Sequence, residues 1–127
     1  MTSLKEAFDG LKSKIVTNLD KWNTSNITDV SGMFKGAKTF SQPLNNWNTS
    51  NVTNMEYMFY GAKNFNQPIG NWNTSNVTDI EHMFDDAVSF NQDLSKWNTS
   101  KVINKHNQNI GFVNPNWKPK HQPQFNK

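Results

Sequence analysis

Trp47-Asn48-Thr49-Ser50-Asn51-Val52-Thr53-Asn54-Met55-Glu56-Tyr57-Met58-Phe59-Tyr60-Gly61-Ala62 recurs, with changes, along this 127-residue chain. Trp22-Asn23-Thr24-Ser25-Asn26-Ile27-Thr28-Asp29-Val30 precedes it. Trp72-Asn73-Thr74-Ser75-Asn76-Val77-Thr78-Asp79-Ile80 follows it. A fainter copy, Trp97-Asn98-Thr99-Ser100-Lys101-Val102, starts and then decays. Trp22, Trp47, Trp72 and Trp97 are thus 25 residues apart. A fixed period in the range of about 20–50 residues marks a stacked repeat architecture.

Three full repeats cover 22–46, 47–71 and 72–96. Counting each Trp as zero, offset five holds Ile27, Val52 and Val77, and offset eight holds Val30, Met55 and Ile80. Offsets eleven and twelve hold Met33-Phe34, Met58-Phe59 and Met83-Phe84. Ala37, Ala62 and Ala87 follow at fifteen, then Phe40, Phe65 and Phe90 at eighteen, and Leu44, Ile69 and Leu94 at twenty-two. Gaps of three and four between offsets eight and fifteen predict a short helix. Thr53-Asn54-Met55-Glu56 and Thr78-Asp79-Ile80-Glu81 read as capping boxes at its start. Gly36 and Gly61 read as its end, with Asp86 in that place in the third repeat. Steps of two from offset eighteen to twenty-two predict short strands at 42–45, 67–70 and 92–95, kept short by Pro43 and Pro68. Asn-Thr-Ser-Asn after each Trp is turn chemistry.

The expected fold is therefore one α/β solenoid domain over 1–127, leucine-rich-repeat-like, with one short parallel strand and one short helix per repeat. Leu4, Phe8, Leu11, Ile15 and Leu19 form a helical stripe, so 1–21 is expected to be an N-terminal capping helix. Residues 97–127 are expected to be a degenerate repeat and irregular C-terminal cap, with Phe112 and Trp117 covering the last stack. Trp22, Trp47, Trp72, Trp97, Phe34, Phe59, Phe84, Phe40, Phe65 and Phe90 are expected to form a buried ladder, since each repeat is otherwise poor in apolar volume.

Composition narrows the chemistry. The chain has no cysteine, which excludes disulfides, thiolate metal sites and a Cys nucleophile. No apolar run reaches the roughly 18–20 residues of a membrane span, and Met1 to Gly10 lacks the apolar region of a signal peptide. The net charge is +3. Five acids and no lysine lie between Trp72 and Ser95, and six lysines and no acid follow from Lys96. Two solvated faces explain this better than an anion-seeking tail, which would be expected to carry arginine or a basic stripe.

The tempting sites are weak. Asn23-Thr24-Ser25 and its copies match the glycosylation sequon because the repeat needs turn residues there. His82, His106 and His121 lack ligand spacing, and His82 reads as an exposed helix residue. Asp85, Asp86 and Asp93 lack the alternation of a calcium loop. No carboxylate lies in an apolar setting, and no phosphate loop or nucleophile grouping is present. No catalytic residue, metal or cofactor is expected.

The motif W-N-T-S-N-V-T-x-M-x-x-M-F-x-G-A-x-x-F-N-Q-x-L over 22–102 resembles the BspA-like leucine-rich-repeat family, in particular the 25-residue repeats of mycoplasma-type surface lipoproteins. Residues 110–125 are similar to the family's Asn- and Pro-rich ending. The resemblance implies display at the cell surface or secretion, and binding to a protein partner, either host extracellular matrix or a neighbouring surface protein. The lipid-bearing cysteine has no counterpart here. If offsets eighteen and twenty-two point inward, then Ser41, Pro43, Asn45, Asn66, Pro68, Gly70, Asn91, Asp93 and Ser95 point outward and form the candidate binding face. The expected function is a monomeric, non-enzymatic scaffold for protein binding or adhesion. Two other readings stand beside it: a carbohydrate or nucleic-acid binder using Trp and the basic C-terminal segment, and a passive surface coat or spacer.

Overall fold

The computed structural model describes residues 2–12, 16–103, 110–111 and 114–125. Isolated parallel bridges join Ser3 to Asp29, Asp29 to Asn54 and Asn54 to Asp79. Equivalent residues of successive repeats therefore lie side by side, and the 25-residue period is a stacking register. One apolar cluster runs through the stack. Phe34, Phe59 and Phe84 are fully buried, as are Phe40, Phe65 and Phe90. Phe34 stacks on Phe59 at 5.7 Å and Phe59 on Phe84 at 5.6 Å, with Phe40, Phe65 and Phe90 in a second column.

The secondary structure is not the expected one. Among the described residues there is no α-helix and no sheet, only short 3₁₀ turns at Leu19–Lys21 and Pro119–His121 and the isolated bridges. The chain is not an α/β repeat solenoid. The one-helix, one-strand repeat implied by the leucine-rich-repeat resemblance is likewise absent.

Backbone hydrogen bonding explains why. Where a helix was expected, the chain forms overlapping turns: Met58 N–H donates to Met55 O, Tyr60 N–H to Tyr57 O and Ala62 N–H to Phe59 O. The intervening amides point to the next coil. Met55, Tyr57, Phe59 and Gly61 donate to Asp79, Glu81, Met83 and Asp85 at 2.9–3.0 Å. Val30, Gly32, Phe34 and Gly36 do the same to Asn54, Glu56, Met58 and Tyr60. An α-helix would turn every amide back on its own segment; here half of them bind the neighbouring coil.

The first and last of these overlapping turns carry a left-handed residue in their third position, as a type II turn requires. Gly32, Tyr57 and His82 have φ near +60°, and Gly36, Gly61 and Asp86 have φ of 63–70°. The capping boxes also resolve differently. Asn54 and Asp79 carboxamide and carboxylate oxygens accept the N–H groups of Glu56 and Glu81, while Thr53 Oγ1 donates to Thr28 O in the preceding coil. The expected Asn-Ser turns do form: Asn48 Oδ1 accepts from both the amide and the hydroxyl of Ser50, and Asn23 and Asn73 repeat the arrangement.

Residues 2–12 are not a capping helix but another copy of the turn segment. Leu4, Glu6, Phe8 and Gly10 donate to Asp29, Ser31, Met33 and Lys35. Glu6 and Gly10 have the left-handed φ of their counterparts, and Phe8 stacks on Phe34 at 5.6 Å. Ile15 lies outside the described residues.

The expected strands are extended segments with no backbone ladder between them among the described residues. Side-chain amides bridge them: Gln67 Nε2 donates to Ser41 O and Gln92 Nε2 to Asn66 O. The alternation still stands, with Leu44, Ile69 and Leu94 buried between accessible neighbours. At the far end, Asn114 Nδ2 donates to Ala87 O, Leu94 N–H to His121 O, and Trp117 packs edge-on against Phe84 and Phe90. Phe112 lies outside the described residues.

The indoles are tied into the same register. Trp47, Trp72 and Trp97 are buried, and their Nε1–H groups donate to Leu19, Leu44 and Ile69 carbonyls at 2.9–3.0 Å. Trp22, at the end of the stack, is 37% exposed. Trp72→Ala is expected to cost about 3–5 kcal/mol, and Trp22→Ala less than half of that, in urea titrations of the two variants. Gly32→Ala separates the turn from a helix by sign. In a helix interior alanine would add about 1 kcal/mol; in this left-handed turn, with Glu6 Cγ 3.1 Å from the new Cβ, it is expected to remove about 1–2 kcal/mol.

Candidate interaction surface

Two surfaces flank the core. The first is the face expected from alternation. Pro43, Asn45, Pro68, Asn91 and Asp93 are exposed, and Ser41, Asn66, Gly70 and Ser95 are partly covered. Several of these side chains hold the stack itself. Ser41 Oγ accepts from Asn66 N–H, and Asn66 Oδ1 accepts from Asn91 N–H. Gly70 sits where a Cβ would lie 2.4 Å from the Asp93 carbonyl oxygen, so its bareness serves packing. Asp93 accepts hydrogen bonds from Ser95, which hold its carboxyl below the usual range. Asn45, Pro68, Gly70, Asn71, Gln92 and Asp93 line a shallow recess of about 330 Å³.

The second surface is the turn face, where sequence reasoning had placed a helix. Its apolar core positions hardly change between repeats, whereas the positions between them do, buried at Ser31 and Gly32 and half-buried at their counterparts. Offset nine reads Ser31, Glu56, Glu81; offset ten reads Gly32, Tyr57, His82; offset thirteen reads Lys35, Tyr60, Asp85. Stacking in register brings these together. The Tyr57 ring stacks on His82 at 4.7 Å, and Tyr60 meets Tyr57 at 5.4 Å. Lys35 Nζ lies 5.3 Å from the Tyr57 ring centre and 5.9 Å from that of Tyr60, a cation–π arrangement. Lys5, Glu6, Lys35, Glu56 and Tyr57 border a recess of about 360 Å³ beside it. The signal was in the sequence as variation at fixed offsets, but a helix would have placed those residues differently.

Carboxylates gather at the edge of this face. Glu56, Asp79 and Glu81 each bring an oxygen within 4.8 Å of the others. Partial burial, then the hydrogen bond and charge of Asp79 and the charge of Glu81, raise the Glu56 carboxyl above its ordinary range, with His82 opposing. Of the acids weighed from sequence, Asp86 pairs with Lys63 at 3.1 Å, Asp85 approaches His82 Nδ1 at 3.3 Å, and Asp93 binds Ser95.

The family model for the mycoplasma protein of unknown function DUF285 matches residues 2–116. The chain belongs to this family. The mycoplasma part of the resemblance therefore stands, while leucine-rich-repeat identity does not follow from it. No curated protein and no solved structure matches the chain. The DUF285 match starts at the turn segment of residues 2–12 and runs into the segment that packs on the last coil.

The Glu56 shift fixes the sign of a pH effect. A carboxyl whose folded-state pKa lies above the unfolded value of 4.5 binds its proton more tightly in the folded chain. Its contribution is full below that value and is lost as pH rises through the raised pKa. Glu56→Gln is therefore expected to flatten the decline in thermal midpoint from pH 4 to pH 7, and to leave the midpoint at pH 7 above that of the parent chain.

Proposed function

We propose that this DUF285 chain is a non-enzymatic repeat scaffold that binds a protein partner through its turn face. One observation carries the reading. The repeats keep the same buried residues while Tyr57, Tyr60, His82 and Lys35 make a different outward pattern in each coil and converge on one patch. Tyrosine supplies large contact area with few rotatable bonds, and it is enriched at protein interfaces. Tyr57 and His82 hold these places despite left-handed backbone, although Gly32 stands at the equivalent position of the first repeat. A bulky residue in that conformation carries a cost of about 1–2 kcal/mol, which directs attention to what its side chain does.

The resemblance to surface repeat proteins supports display at the cell surface or secretion, with a host matrix protein or a neighbouring surface protein as partner. The buried indoles of Trp47, Trp72 and Trp97, with their N–H groups committed to the backbone, weigh against a stacking platform for sugars or bases. The test is surface plasmon resonance of the immobilised chain against purified extracellular-matrix proteins. Tyr57→Ser combined with Tyr60→Ser is expected to weaken a saturable interaction by about tenfold or more, as loss of an interface aromatic does. Asn45→Ala with Asn91→Ala is expected to leave it unchanged. Binding that survives the tyrosine changes, or no saturable binding at all, would contradict the reading.

A further inference from the structure

One place in the turn face lacks a side chain. In register, offset ten runs Glu6, Gly32, Tyr57 and His82 through successive coils. All four have left-handed φ, so the backbone presents each of them alike. Tyr57 and His82 fill their places with rings, stacked at 4.7 Å with 24° between planes. His82 covers one face of the Tyr57 ring from the following coil. The opposite face turns toward the preceding coil, where Gly32 stands. A recess of about 360 Å³ opens there, lined by both Gly32 and Tyr57. Glu6 borders its far side, with Cγ 3.1 Å from where a Gly32 Cβ would lie. Glu6 is exposed and able to swing aside.

We infer, on the reading that the turn face is the binding surface, that this recess receives an aromatic side chain of the protein partner, which adds a third ring to the Tyr57–His82 column. Three observations select that occupant. The register already sets rings at this offset within stacking distance in the next two coils, and offset-stacked rings attract at centroid separations of about 4.5–7 Å. The charges around the recess balance, with Lys5 and Lys35 against Glu6 and Glu56, so the lining favours a neutral group over a cation or an anion. A ring beside Tyr57 also meets the Lys35 ammonium, which lies 5.3 Å from the Tyr57 ring centre, and shares its cation–π attraction. An aliphatic side chain would gain contact area and neither of these attractions. Aromatic anchors seated in pockets carry much of the affinity of protein interfaces.

The probe is N-acetyl-tyrosinamide, a neutral capped tyrosine, titrated into the isotope-labelled 127-residue chain and followed by nuclear magnetic resonance. Saturable shifts are expected at the Gly32 amide and the Tyr57 and His82 rings, and none at Asn45 or Asn91 on the extended face. N-acetyl-leucinamide and N-acetyl-argininamide are expected to bind about threefold to tenfold more weakly, the worth of one aromatic pair. Gly32→Asn keeps the left-handed backbone, which asparagine tolerates, and puts a side chain into the recess. It is expected to abolish the shifts at Tyr57 and to weaken binding of a matrix protein about tenfold, as loss of one interface anchor does. Unchanged core resonances of Phe34 and Phe59 show that the variant is folded, and the titration of the parent chain needs no variant. Absent shifts at Gly32 and Tyr57, or equal binding by the leucine or arginine compound, overturn the inference. Matrix binding that the paired tyrosine changes weaken and Gly32→Asn does not also overturns it, while leaving the turn-face reading intact. Absence of any matrix binding defeats the turn-face reading, and the titration alone then decides whether the recess takes an aromatic ring.

Discussion

Half of the amides in each turn segment have no acceptor within their own coil. Phe59 N–H reaches Met83 O at 2.9 Å and Phe34 N–H reaches Met58 O at 2.9 Å, each in the coil that follows. A buried amide left unpaired costs about 1–3 kcal/mol, so no coil can be stable without the next one. The same demand is met by side chains elsewhere in the repeat. Thr24, Thr49 and Thr74 are buried and donate to Asn48, Asn73 and Asn98 carbonyls, and the indoles donate in the opposite direction along the stack. Coil order, register and core are consequences of one bonding rule repeated at a fixed interval.

That rule also decides which positions are free to vary. Buried aromatic columns and backbone bonds fix Phe34, Phe59 and Phe84, together with the Thr and Trp that bind carbonyls. At the turn face, Lys35, Tyr57 and Tyr60 meet their neighbours through ring and cation–π contacts. They differ from coil to coil, and the register collects the differences into the patch of Lys35, Tyr57, Tyr60 and His82. On the extended face, by contrast, Ser41, Asn66 and Gln92 are engaged between coils. Fewer of its polar side chains are therefore left to recognise anything else.

The register was legible because tryptophan marks it at equal intervals, and the core was legible because the same apolar offsets return. The backbone conformation was not. Overlapping turns bring residues three and four apart onto one side, so Val30, Met33, Phe34 and Ala37 give the same spacing as a helix. Gly32 and Gly36, four apart, were the contrary sign: both have left-handed φ, which a helix interior does not accommodate. The period of the first segment misled in the same way, since Leu4, Phe8 and Leu11 are spaced like the later turns. In the extended segments, alternation placed Leu44 and Ile69 inward correctly. Glutamine side chains, rather than backbone amides, make the bridges there, and Pro43 and Pro68 have no amide to give. The Tyr57–His82 contact required the stacking geometry, because the two residues are 25 apart in the chain.

Scalar coupling through hydrogen bonds, measured by nuclear magnetic resonance on the labelled chain, tests the bonding rule most directly. The structure predicts a coupling from Phe59 nitrogen to the Met83 carbonyl carbon, and from Phe34 nitrogen to that of Met58. Couplings from Phe59 to Met55 and from Phe34 to Val30, the pattern of an α-helix, would contradict it.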